Sequence, residues 1–237
     1  MVVGDDFQSI YRFSGCNLDL FLKFSDYFNG AKLLKLENTY RNSQELIDIA
    51  GKFILKNKNQ LRKELKSSRS ESHPIKIVYY QNEKDSFLAL IEKLYSEGRR
   101  KIMILGRNNK DIYLVLSKSF LYQNENIIWK NHPDLYLYYK TIHRSKGLEE
   151  ETVIIIHLEN VENGLPNLRK DSRIVSALFP IHDFYPYSEE RRLFYVALTR
   201  TKHDVYLLAS RENPSIFVLE LQKIMKQKKK KYIFFPF

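Results

Sequence analysis

The chain has 237 residues, 43% hydrophobic and 28% charged, which allows one large domain or two small ones around a substantial core and excludes a disordered tail. Lys and Arg total 39 against 28 Asp and Glu, a net charge of +11; without the five lysines at Lys226 and Lys228–Lys231 it is still +6, so a polyanionic partner fits. The single cysteine, Cys16, excludes an internal disulfide framework and a Cys-based zinc cluster and fits a reducing cytoplasm, while apolar runs such as Val153–Ile156 are far too short to span a membrane.

In chain order, Gly4–Gly15 reads GDDFQSIYRFSG and packs a carboxylate pair, an amide, a hydroxyl and two aromatics into a short stretch. From the residues alone it is either a ligand-facing segment or a turn with ordinary core aromatics. The apolar run Leu33–Leu36 reads as a strand, followed by NTYRNS (Asn38–Ser43), where Arg41 points either toward a ligand edge or into a capping salt bridge. Helical spacing of Leu46, Ile49, Ala50 and Phe53 predicts a helix over Gln44–Ile54, with Asn42 and Glu45 as a capping-box-like start. Strand patterns follow at Ile75–Tyr80, Lys101–Leu105, Leu135–Ile142, Thr152–Leu158 and Asp204–Ala209.

Between these strands, a helix is expected from about Asp85 to a stop at Gly98, and another, apolar on nearly every side, from Ser188 as N-cap through Leu198. Strands apolar on both faces and alternating with helices imply an α/β fold, a mostly parallel sheet covered on both sides. Ligand sites of such sheets gather at the carboxyl ends of strands, which draws attention to TIHRSKGLE (Thr141–Glu149), where Gly147 permits close backbone approach. Arg200 and Lys202, at the end of the last helix of EERRLFYVALTRTK, are favoured there by the helix dipole whatever else they do.

These segments, taken in order, resemble the signature motifs of the UvrD/Rep type of superfamily-one DNA helicases. GDDFQSIYRFSG resembles motif III, LENTYRNS motif IV, IMILGRNN the short motif after it, TIHRSKGLEEETVII motif V and EERRLFYVALTRTK motif VI. The short interval between Asn109 and Thr141 leaves no room for a large inserted subdomain, and with Gly164–Pro180 and Asn213–Leu221 it resembles the DNA helicase IV branch. Ser14, where many relatives carry Arg, and Asn38 and Thr39, where the pattern often has Gln and Asn, depart from the motifs.

The resemblance implies a RecA-like second helicase domain over residues 31–225, preceded by a remnant of the first RecA-like domain over 1–30 and followed by a basic, aromatic tail over 226–237. It implies that Gln8 senses the γ-phosphate of ATP, that Arg41 and Arg200 reach that phosphate as arginine fingers, that Tyr40 stacks on adenine and that Glu149 holds the ribose. Tyr11 and Phe13 would stack on DNA bases, and Thr141, His143, Ser145 and Lys146 would handle the DNA backbone. A helix around Leu18, Leu20, Phe21 and Phe24 would pack on the first domain.

A glycine-rich GxxxxGK[ST] loop and the acidic pair that holds Mg2+ do not occur in the sequence. ATP and Mg2+ are therefore expected to bind only together with the first domain, in cis or in trans, and the chain alone is expected neither to hydrolyse ATP appreciably nor to unwind DNA. The expected partner is single-stranded or partly duplex DNA, and no membrane. The alternative is a non-enzymatic, basic module that binds single-stranded nucleic acid through Tyr11, Phe13 and the lysine tail.

Overall fold

The computed structural model describes residues 2–14, 21–169 and 185–227, with Phe13 described by its backbone alone. Leu18, Leu20, most of Gly164–Pro180 and nearly all of the lysine and aromatic tail lie outside these residues. Seven strands, β1 (Ile75–Tyr80), β2 (Lys101–Gly106), β3 (Phe120–Gln123), β4 (Asn126–Trp129), β5 (Tyr136–Thr141), β6 (Glu150–Leu158) and β7 (Thr201–Ser210), form one sheet in the order β1-β7-β6-β2-β5-β4-β3. The first five in that order run parallel, and β4 is antiparallel to both β5 and β3.

The helices are α1 (Phe24–Tyr27), α2 (Gln44–Ile54), α3 (Glu83–Ser96), α4 (Ile112–Val115), α5 (Ser188–Leu198) and α6 (Ile216–Gln227). Along β6, Val153 and Ile155 pack with α2, α5 and α6, whereas Ile154 and Ile156 pack with α3 and α4 on the other face. Successive strand side chains point to opposite faces, so a continuous apolar run is what a strand buried on both sides requires. This is the mostly parallel α/β architecture expected from the sequence. Phe53, Phe194 and Phe217 join α2, α5 and α6, with edge-on Phe53 contacts at 5.3 Å to each of the other two rings. Emptying one such position, as in Phe194→Ala, costs about 3–5 kcal/mol.

Local starts differ from the sequence expectations. Ser43, not Asn42, caps α2 by accepting from the Leu46 amide at 3.4 Å, because the Asn42 side chain turns inward. Asn82 caps α3, accepting from the Lys84 and Asp85 amides. Ser188 is already inside α5; the residue before it, Tyr187, takes a left-handed conformation at φ 55° and offers no side-chain cap. Glu189 and Glu190 of its first turn are instead held by Arg12 and Arg107. Leu33, Leu34 and Leu36 form no strand and are 65–87% exposed, because among the described residues no strand meets that run and pairing nearby is limited to the Asn38–Lys66 bridge.

The β3–β4 hairpin, α4 and α6 have no counterpart among the expected elements. The β3–β4 hairpin turns through Asn124 and Glu125, both with positive φ, the two-residue geometry that matches the twist of paired strands. Each of its strands is four residues long, too short for a clear alternation. The segment before α1 is also more integrated than a remnant of another domain requires: Phe7 and Ile10 are 1% and 0% exposed within the α2–α5–α6 core. Asp6 beneath them accepts from the Leu61 amide at 2.9 Å and pairs with Lys63.

Candidate functional site

Arg200 directly precedes β7, and Glu149 directly precedes β6, so the two lie side by side at the amino ends of adjacent parallel strands, where the Glu150 amide donates to the Arg200 carbonyl at 3.0 Å. The carboxyl-end rule that singled out residues 141–149 therefore does not locate Arg200. Arg41 reaches the same place from the start of α2. Its Nε donates to Glu149 Oε2 at 2.5 Å, while Lys202 Nζ meets Glu149 Oε1 at 3.0 Å. These two partners hold the Glu149 carboxyl below its usual range.

Arg200 is 1% exposed. Its Nε donates to the Val196 carbonyl at 3.0 Å, Nη1 to the Leu148 carbonyl at 3.2 Å, and Nη2 to Thr199 Oγ1 at 3.4 Å and Gln8 Oε1 at 3.5 Å. All four acceptors are neutral, and among the described residues no carboxylate pairs with it. Burial first, and the Arg41 charge second, push its pKa down to about 10. A guanidinium removed from water without an anion is costly, and a second guanidinium nearby adds to that cost. Asp5 and Glu149 offset part of this from a distance, but no carboxylate among the described residues touches the guanidinium.

Gln8 is held in turn by Asp5, whose Oδ2 accepts from Nε2 at 2.5 Å, and its backbone carbonyl accepts from Lys146 Nζ at 3.0 Å. Lys146 also lies 5.2 Å over the Tyr11 ring, and the Tyr11 hydroxyl donates to the His143 carbonyl at 2.8 Å. One short segment, Asp5–Tyr11, thus touches both Arg200 and the turn after β5. Tyr40 is 80% exposed. His143 is pushed down to about 4, by burial first and then by the Arg107 charge, so its ring is neutral near pH 7.

Ser145 is fully buried, with its hydroxyl donating to the Ile142 carbonyl at 2.7 Å, and Thr141 is 8% exposed. These two shape the turn and are not presented at its surface. Gly147, at φ 90°, completes it in the left-handed region that favours glycine.

Two further residues build the site, Asn42, which lies in motif IV but reads there only as a helix cap, and Lys63, which lies outside every motif. Asn42 is 5% exposed and donates from Nδ2 to the Thr199 and Thr201 carbonyls, which bracket Arg200. Lys63 meets Asp5 at 2.6 Å from a loop far away in sequence, with no signal in its neighbours. Among the described residues, no group of three or more His, Cys, Asp or Glu could hold a metal ion, and no helix is long and apolar enough to cross a membrane.

Residues 137–212 match the family described as UvrD-like helicase C-terminal domain. The chain is 36% identical over 224 residues to DNA helicase IV of Escherichia coli K12, a match that covers 94% of this chain and 31% of that protein. It is 36% identical over 116 residues to the ATP-dependent DNA helicase PcrA of Bacillus subtilis 168, covering 46% of this chain and 15% of that one. With the ATP-dependent DNA helicase Rep of Buchnera aphidicola subsp. Schizaphis graminum it shares 34% over 130 residues, 52% of this chain and 20% of that one. The chain carries a UvrD-like helicase C-terminal domain, and it spans less than a third of the length of these relatives.

Proposed function

We propose that this chain supplies the arginine-bearing wall of an ATP site in a DNA helicase, with Arg41 and Arg200 directed at the γ-phosphate and Tyr40 and Glu149 at the adenine and ribose. The observation that carries the reading is the Arg200 guanidinium, buried among neutral acceptors beside a second guanidinium. Charge spread over a transferring phosphoryl group is the anion such a pair suits, and an arginine finger contributes about a thousandfold or more to transfer.

The phosphate loop and the carboxylates that bind Mg2+ belong, in this reading, to a first RecA-like domain outside these 237 residues. Mg2+ supplies charge neutralisation on the phosphates when bound there. Gln8 links the two functions: its amide lies against Arg200 and its backbone carbonyl against Lys146. Tyr11, Phe13, His143 and Lys146 would face single-stranded DNA, His143 as a neutral ring; Thr141 and Ser145 would hold the shape of that turn. A cytoplasmic setting belongs to the same proposal.

The test is a chimaera in which this chain replaces the matched C-terminal third of DNA helicase IV. Single-strand-stimulated ATP hydrolysis that falls about a thousandfold in Arg200→Ala supports the reading. Salt-sensitive DNA binding with hydrolysis indifferent to Arg41→Ala and Arg200→Ala would favour the alternative, a binding module without catalysis.

A further inference from the structure

Away from the arginine pair, one part of the sheet carries aromatic and apolar side chains in the open. On β5, Tyr136, Tyr138 and Lys140 share a face, and the two tyrosine rings lie 5.3 Å apart with a 39° tilt. Register places Ile128 of β4 and Leu121 of β3 in line with Tyr136, and Gln123 and Asn126 in line with Tyr138. Tyr136, Leu121 and Ile128 are 51%, 52% and 43% exposed. Under β2, β6 and β7 the same face is covered by α2, α5 and α6, and Tyr138 is half-buried against the edge of that cluster, whereas Tyr136, Ile128 and Leu121 beyond it stay exposed.

The charges around it are mostly positive. Lys101, exposed, stands beside Tyr136 in the β2–β5 register. Lys130 is exposed at the end of β4. At the other end of β5, Lys140 and the 62% exposed Arg144 converge on Glu125, the tip of the β3–β4 hairpin. The opposing carboxylates are that Glu125 and Glu150, which accepts from the Tyr138 hydroxyl at 3.3 Å. Two residues past Arg144 is Lys146, already placed against Tyr11.

We infer that the outer face of β5, with Tyr136 and Tyr138, is a stacking platform for single-stranded nucleic acid that extends the track proposed above at Tyr11 and Lys146. Bases lie flat on the rings: 5.3 Å between ring centres leaves no room for a base step of about 3.4 Å between two rings in contact on both sides. Lys101 and Lys130 take phosphates along one margin, and Arg144 takes one by leaving Glu125. Stacking on aromatics is tolerant of sequence, so the platform gives no strong base preference. The inference rests on the DNA-facing part of the proposed function, and its test separates the two.

The measurement is fluorescence anisotropy of a short labelled oligothymidylate with the whole chain and its variants, each checked for folding by circular dichroism. Tyr136→Ala and Tyr138→Ala are each expected to weaken binding about five- to a hundredfold, with Tyr136→Phe near wild type, because the ring and not the hydroxyl does the stacking. Glu125→Gln is expected to tighten binding several-fold and to steepen its salt dependence, because it frees two cations for phosphate. Unchanged affinity in both tyrosine variants, with Tyr11→Ala and Lys146→Ala still weakening binding, would overturn the platform and leave the proposed function standing. Self-association of the chain that is lost in Tyr136→Ala, with DNA affinity intact, would overturn it in favour of a second copy as occupant.

Discussion

Asn42 brackets Arg200: its side-chain amide donates to the carbonyl before that arginine at 3.3 Å and to the carbonyl after it at 2.6 Å. Because Arg41 adjoins Asn42, one buried amide fixes the backbones of both arginines. The rest of the link is rigid too, since the Asn42 carbonyl accepts from Ser67 Oγ at 2.7 Å and the Arg41 carbonyl from Arg69 at 2.8 Å.

Replacing Asn42 should therefore loosen the arginine pair and the fold together. Asn42→Ala leaves two carbonyls short of a donor at a buried position, a loss of about 1–3 kcal/mol. Asn42→Asp, which keeps the shape but turns a carboxylate onto those carbonyls, is expected to be worse. Denaturant midpoints of the three proteins check the order.

The Asp6–Lys63 pair ties the N-terminal segment to the loop after α2, with the Asp6 side chain fully buried and Lys63 mostly so. Asp6→Ala leaves the Lys63 ammonium, 4.3 Å over the Phe7 ring, with the partly exposed Asp5 as its remaining carboxylate partner. Because Asp5 still pairs with the ammonium, the loss is that of a buried charge-assisted contact, about 1–3 kcal/mol, rather than that of an unpaired buried charge. Thermal unfolding should show the loss, and limited proteolysis should show earlier cleavage near residue 14 if the segment detaches first.

Two histidines pull stability in opposite directions with pH. His143 has a folded pKa of about 4, so the unfolded chain binds more protons between there and the ordinary histidine range, and its contribution falls as pH drops through that window. For His157 burial lowers the pKa, but the Glu83 hydrogen bond and charge outweigh it and raise the net value; its contribution is present below the ordinary range and lost as pH rises through the folded value. His143→Gln should thus lessen the acid sensitivity of the fold, and His157→Gln should increase it. Denaturant curves at about pH 5 and about pH 7.5 distinguish them.

Most strand positions and the helices α2, α3 and α5 were legible, because β2, β6 and β7 are apolar on both faces along most of their length, β1 and β5 are rich in Ile, Val, Leu and Tyr, and the helices have clear helical spacing. The β3–β4 hairpin was not, since its strands are four residues each and one side faces outward. Leu33–Leu36 misled because an apolar run does not reveal whether a neighbour exists to pair with it. Gln8, Arg41, Glu149 and Arg200 could be named from motif resemblance, and the structure brings them together. Their dependence on Asn42 and Lys63 could not be named: Asn42 reads as a cap in sequence, and Lys63 meets Asp5 and Asp6 only through the fold.

In the proposed function Arg200 acts on a phosphoryl group in flight, and binding of a transition-state mimic isolates that step. In the DNA helicase IV chimaera, Arg200→Ala is expected to leave ADP affinity within about twofold while weakening ADP with aluminium fluoride about a thousandfold, since the finger contributes where charge develops. Equal affinities of the wild-type and Arg200→Ala chimaeras for the mimic would contradict it.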